Sequence, residues 1–256
     1  MGLAAVVLLG RMAVFMVDAD QRQLSIQPSD PFRTAHSCLT AYAEAARYVR
    51  DPGQNIYDAK LYEERWIHGL KVDTYEYPPP FLLVPGAMQR VAGDYLRLRP
   101  LWFVMQLLVL VGACIVVARW LGGALRTRIL LASPLFLIAP TTLFTMQMGN
   151  FQSTAVALAI VGMIALESSR TSAQIAGGFA LAYAALSKIF PGVLTLYLLA
   201  TRRWRAALWT ACAGLVLIAL TLIVYGTTPF DDFLHYQLPR LSSGEAFPQS
   251  EFPRVA

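Results

Sequence analysis

Eight apolar stretches divided by short polar turns constrain this chain more than any other feature. They run over residues 2–17, 81–93, 101–118, 129–148, 153–166, 173–187, 190–200 and 206–225. Inside a bilayer every backbone N–H and C=O must be satisfied within the protein, so stretches approaching the ~20 residues needed to cross it are expected to be helices. Composition agrees, with 56% hydrophobic and 14% charged residues and a mean hydropathy of +0.50. That is outside the usual balance of a soluble domain, and a large soluble protein with buried helices does not fit it. The expected fold class is all-α, a polytopic membrane protein.

Charge is partitioned along the chain. Residues 1–80 carry ten of the sixteen acids, whereas residues 81–225 carry eleven basic residues and only two acids, Asp94 and Glu167. Basic residues between apolar stretches follow the positive-inside bias of membrane proteins. The net charge of +5 is therefore read as topology, and nucleic acid is not an expected partner. Cys38, Cys114 and Cys212 are odd in number and scattered, which implies neither a disulfide framework nor a metal motif. No cofactor is expected.

The organisation follows in order. Residues 1–256 are read as one membrane domain whose ends look abrupt, as in a fragment of a longer chain. Residues 2–17 suggest a first span. Residues 18–80 make a polar loop too long for a simple turn, with a helix start at Asp30-Pro31 (an N-cap carboxylate followed by proline). Phe32, Ala35, Leu39, Tyr42, Ala46 and Val49 then recur at helical spacing. Asp58 is expected to cap a second helix carrying Leu61, Tyr62 and Trp66 and ending near Gly69. Both helices are expected to lie amphipathically beside the membrane. The loop joins the apolar part at Tyr75-Glu-Tyr-Pro-Pro-Pro-Phe-Leu-Leu83, where three prolines enforce a stiff, non-helical lip. Residues 81–225 hold the transmembrane helices, with 81–93 read as re-entrant or tilted, and 226–256 form a polar tail. Placing Arg202, Arg203 and Arg205 inside puts the 18–80 loop, Gly149–Gln152 and Lys188 together on the outer side.

Lys188 stands between two half-length apolar pieces, in Ser187-Lys-Ile-Phe-Pro191. Ionisable groups and broken helices at membrane depth tend to line a cavity. A lone lysine there suits an anionic group such as a lipid phosphate, set against the plainer alternative of a lysine snorkelling to headgroups.

Tyr42-Ala-Glu-Ala-Ala-Arg47, Gly53-Gln-Asn-Ile-Tyr-Asp58 and Tyr77-Pro-Pro-Pro-Phe-Leu-Leu83 resemble the first outer loop of glycosyltransferase family 87. Gly149-Asn-Phe-Gln152 resembles its Gly-Gln element, and Ser187-Lys-Ile-Phe-Pro191 with Arg202-Arg-Trp-Arg205 its Lys-x-x-Pro hairpin and basic turn. The resemblance covers residues 38 to 210. It implies a GT-C-type helix bundle with a large first extracytoplasmic loop, in a multi-pass cell-membrane protein of the bacterial plasma membrane. It also implies transfer of a hexose, mannose in the first instance, from a polyprenyl-phosphate donor to a hydroxyl of a glycan or glycolipid acceptor by an inverting single displacement. The family tends to carry an aspartate where this chain has Cys38. A carboxylate of the outer loop would then be the base, with Asp30, Asp20 and Asp18 as candidates and Glu44 behind them. Asp30 has the competing role of a helix cap. Lys188 would neutralise the leaving phosphate, while Tyr75, Glu76, Tyr77, Asn150, Gln152 and His36 are candidates for binding substrate. A transporter or flippase of lipid-linked substrates, or an inactive membrane fragment, are the alternatives.

Overall fold

A computed structural model of the chain describes residues 2–51 and 53–246. The end of the polar tail, 247–256, lies outside the described residues. Most of the described residues are helical. Helix α1 covers Gly2–Val17, α5 Tyr95–Leu121, α6 Gly123–Ile138, α7 Pro140–Gln147, α8 Gln152–Leu166, α9 Thr171–Ser187, α10 Gly192–Ala200 and α11 Trp204–Tyr225. Of these, α5 and α11 are long and apolar enough to cross a membrane, and α6 with α7 can form a third span bent by 56°. Pro140 at the bend cannot donate its backbone nitrogen to the preceding turn, so α6 has to end there. The region 81–93 becomes a short 3-10 turn, Pro79–Leu82, followed by α4, Leu83–Ala92. Ten helical residues reach only ~15 Å, half of a hydrocarbon core.

Glycines hold the central helices together. A Cβ on Gly177 of α9 would stand 2.7 Å from the carbonyl oxygen of Gly162 in α8, and one on the adjacent Gly178 would stand 2.7 Å from the carbonyl oxygen of Trp209 in α11. Two successive residues of α9 thus face two different neighbours, each at a distance only glycine permits. Where apolar lipid surrounds the helices, this close backbone approach supplies the packing that exposed apolar surface cannot.

The 18–80 loop differs from its expected form. The helix starting at Asp30 is interrupted: α2 covers Pro31–Ala35, His36–Ser37 is a strand (β1), and α3 resumes at Cys38–Tyr48. The region expected to form a second helix gives only the 3-10 turn Ala59–Leu61 before a hairpin of β2, Trp66–Ile67, and β3, Leu70–Val72. His68 and Gly69 between them both have positive φ, 49° and 73°, which fits the tight primed turn that matches strand twist. β3 pairs antiparallel with β2 and parallel with β1, His36 opposite Lys71 and Ser37 opposite Val72. Long-range strand pairing therefore overrides a locally helical pattern, and it adds a small three-stranded sheet to an otherwise all-α fold. Nor does α3 lie on a membrane surface. Leu39 to Ala46 are all buried, because four alanines at 41, 43, 45 and 46 let neighbours approach from every side.

The proline lip is also internal. Pro79, Pro80, Phe81 and Leu82 are buried, with the Phe81 ring 4.8 Å from Tyr42, 4.8 Å from Tyr77 and 5.1 Å from Phe151. Loop and membrane helices thus share one aromatic core, completed by Trp102 of α5 and Tyr183 of α9.

The turn between α7 and α8 fixes the loop along its length. Gln147 accepts from the Ile26 amide at 2.7 Å and donates to the Arg33 carbonyl at 2.6 Å. The Met148 carbonyl accepts from the Ser37 hydroxyl at 3.3 Å and the Leu39 amide at 3.4 Å. The Phe151 amide donates to the Tyr42 hydroxyl at 3.4 Å. Gly149 makes the turn possible, with φ +66° and no room for a Cβ beside Leu39, while its carbonyl accepts from the Trp102 indole at 2.9 Å.

Candidate active site between loop and helices

Lys188 follows the last residue of α9 in extended geometry, φ −139°, so its side chain leaves the helix bundle toward the loop. Its Nζ donates to the Tyr77 hydroxyl at 2.8 Å and lies 4.2 Å from that ring's centre. The Tyr77 hydroxyl also accepts from Tyr42 at 2.8 Å. One tyrosine oxygen therefore receives both a cation and a second phenol, which holds the ammonium in place without neutralising it.

Around this pair stand three further groups. Glu76 precedes Tyr77 and forms no hydrogen bond or ion pair with any described residue. Burial, and then the charge of Asp73, raises its carboxyl to about 7, while Lys188 and Arg240 pull the other way. His36 and Asp73 face each other, Nε2 to Oδ2 at 3.4 Å; burial lowers the histidine and raises the aspartate, each tempered by the charge of the other. Cys38 Sγ lies 3.7 Å from His36 Nε2 and accepts from the Asn150 amide at 3.5 Å. Burial pushes the thiol up to about 12. These residues therefore bring together a positioned cation, a carboxylate able to change protonation near neutral pH, and a His–Asp–Cys group.

Of the residues expected from sequence, the structure gathers Lys188, Tyr77, Glu76, Asn150 and His36. Tyr75 lies behind Tyr77, 5.8 Å between ring centres, but is fully buried in the aromatic core with its hydroxyl donating to the Pro78 carbonyl at 3.2 Å. Gln152 begins α8 and faces an apolar groove between α5, α6 and α8 that also includes Cys114, Phe136 and Val156. Two of the three acids expected as bases are engaged locally. Asp30 accepts from the Phe32 amide at 3.0 Å and faces Arg33 at 3.3 Å, and Asp18 accepts from the Asp20 amide at 3.0 Å and the Gln21 side chain at 3.3 Å. Among the described residues none of Asp18, Asp20 and Asp30 bonds to Lys188, Glu76 or Tyr77. Glu44 is clamped by Arg47 and Arg65 at 2.7 and 3.0 Å. Asp73 is the residue that sequence reasoning missed. Its only local signal is its place directly after the alternating β3, and it reaches His36 through a parallel pairing that no short-range pattern reveals.

Fold and side-chain cluster together define a class: a membrane protein whose apolar helices carry a folded polar cap, with a cation and acids collected at the seam. The sequence profile of Glycosyltransferase family 87 matches residues 75–254. That is more than half of the chain, and the chain belongs to glycosyltransferase family 87. It is a membrane glycosyltransferase. The matched stretch includes Glu76, Tyr77, Asn150 and Lys188, whereas His36, Cys38 and Asp73 precede it. No curated protein and no solved structure matches the chain.

Proposed function

We propose that the protein transfers a hexose, mannose in the first instance, from a polyprenyl-phosphate donor to a hydroxyl of a glycan or glycolipid, on the outer face of a multi-pass GT-C-type bundle in the plasma membrane. The observation that carries this reading is Lys188, held on Tyr77 beside the carboxylate of Glu76, which bonds to no described residue. The acceptor oxygen attacks the anomeric carbon as its proton passes to Glu76. The bond from that carbon to the phosphate oxygen breaks, and its electron pair stays on the phosphate. Lys188 faces the charge developing on the leaving phosphate, where a preorganised cation acts most strongly. Glu76 suits the proton transfer because a base titrating near the working pH combines availability with driving force. In this reading His36 and Asn150, which flank Cys38, orient the acceptor and the sugar. The groove from Gln152 along Val156 and Ile160, about 400 Å³ and walled by apolar side chains, suits an isoprenoid tail. Asp30 and Asp18 are engaged locally, and among the described residues Asp20 bonds to none of Lys188, Glu76 and Tyr77, so the base is assigned to Glu76 instead.

The test is transfer of label from polyprenyl-phosphate-mannose in membranes containing the protein. Glu76→Gln and Lys188→Ala should each lower the rate by ~100-fold or more. Full activity in both variants, or transfer only from a nucleotide sugar, would overturn the reading.

A further inference from the structure

The parallel register that sets His36 opposite Lys71 and Ser37 opposite Val72 brings the next residues, Cys38 and Asp73, level with each other. Ser37 is extended, φ −152°, so His36 before it and Cys38, the first residue of α3, point to the same side. The three ligand atoms, Nε2, Sγ and a carboxylate oxygen, all lie within 4.8 Å of one another. From these contacts we infer a zinc site formed by His36, Cys38 and Asp73.

Distances carry the inference. Zinc bonds of ~2.0–2.1 Å to nitrogen, ~2.0–2.2 Å to oxygen and ~2.3 Å to sulfur, at tetrahedral angles, place ligand atoms about 3.4 Å apart for a nitrogen–oxygen edge and about 3.6 Å for nitrogen–sulfur. The corresponding separations are 3.4 Å between His36 and Asp73 and 3.7 Å between His36 and Cys38. Two edges of the tetrahedron are therefore already set, both meeting at the same ring nitrogen. A mixed nitrogen, sulfur and oxygen set selects a thiophilic borderline cation rather than magnesium or calcium, which prefer oxygen alone.

Surrounding contacts fix the ligands as second partners do in zinc centres. The Thr74 amide donates to Asp73 Oδ1 at 3.2 Å, which leaves Oδ2 toward His36. The Asp73 amide donates to the Thr40 hydroxyl at 3.0 Å. The Asn150 side chain holds the sulfur, and the Phe32 ring stacks on His36 at 4.6 Å between centres. The Asp73 side chain is 37% exposed, which provides an entry path and leaves a fourth position for water or a ligand hydroxyl. Binding displaces the thiol proton to solvent and forms one zinc–sulfur bond. The site does not depend on Glu76 being the base.

The test uses the full chain purified in detergent, stripped with a chelator and titrated with Co²⁺ alone. One equivalent should bind with a sulfur-to-cobalt charge-transfer band that zinc then displaces. Zinc should also slow alkylation of Cys38, read on its own peptide by mass spectrometry, at least tenfold. His36→Ala and Asp73→Asn should each weaken binding at least tenfold. The double variant Cys114→Ser, Cys212→Ser should keep the band, and Cys38→Ser should lose it. Absence of the band in the unaltered chain overturns the site, as does its survival in Cys38→Ser. Should Cys38→Ser not fold, the alkylation rate in the unaltered chain decides, and no change on adding zinc counts against the site.

Discussion

Glu76→Gln is the most informative substitution, because the surroundings of Glu76 predict a pH profile as well as a rate. Burial and the charge of Asp73 raise its carboxyl to about 7. A base must be ionised to accept a proton, so activity should rise with pH through that value. With a midpoint of about 7, the ionised fraction is ~9% at pH 6 and ~91% at pH 8, a roughly tenfold rise in rate across those two units. A carboxylate at its ordinary value of ~4.3 would be almost fully ionised at both, and the rate would scarcely change. The assay is initial-rate sugar transfer at saturating donor from pH 5.5 to 8.5, at constant ionic strength. Glu76→Gln keeps the size of the side chain and removes the base. Its rate should fall by ~10²–10⁴-fold and its residual activity should be level across the same range. Glu76→Asp, with the carboxylate withdrawn by one methylene, should retain a sloped profile at a lower rate. An unaltered enzyme with no slope between pH 6 and 8 would refute the reasoning. So would a Glu76→Gln variant that keeps the tenfold rise.

Three further outcomes are expected. Lys188→Met should lower the rate ~10²–10³-fold and move the midpoint of any residual profile upward, since Lys188 is the largest influence that lowers Glu76; the same pH series reads both. Gly177→Ala places a methyl group 2.7 Å from the Gly162 carbonyl and should cost about 1–3 kcal/mol, read as a lower melting temperature in detergent, whereas Gly214→Ala, with open space around its Cβ, should melt like the unaltered protein. Trp102→Phe leaves the buried Gly149 carbonyl without its 2.9 Å indole donor and should destabilise by about 1–3 kcal/mol; equal urea midpoints in the two proteins would contradict it.

The range of the interactions that form each feature decides how legible it was in the sequence. Membrane helices announce themselves by local composition, and α5 and α11 stand where the apolar stretches place them. Lys188 was visible because it interrupts an apolar run just before a proline. The loop was legible in its turns and in α3, which lies within the expected first helix. Asp30 does cap a helix, and Asp58 caps a 3-10 turn, since a cap needs nothing beyond three or four residues. The structure beyond each cap is decided at a distance. His36 and Ser37 sit in a helical pattern but pair with residues 35 positions later, and burial of α3 within the aromatic core removes any need for a polar face. The same reasons concealed the site. A capping aspartate looks chemically poised when read alone, whereas Asp73 acquires His36 and Cys38 as neighbours only once β1 and β3 are paired.

The α7–α8 turn holds the loop at Ile26, Arg33, Ser37, Cys38, Leu39 and Tyr42 through Gln147, Met148, Asn150 and Phe151. Residues 147–151 of the membrane part thus act as a template against which residues 26–42 of the loop are aligned. In evolution and in engineering alike, the exchangeable unit is therefore discontinuous. Residues 18–80 grafted onto a related helix bundle would arrive without their ruler, while the same graft accompanied by residues 147–151 would carry both halves of the gauge that spaces the site.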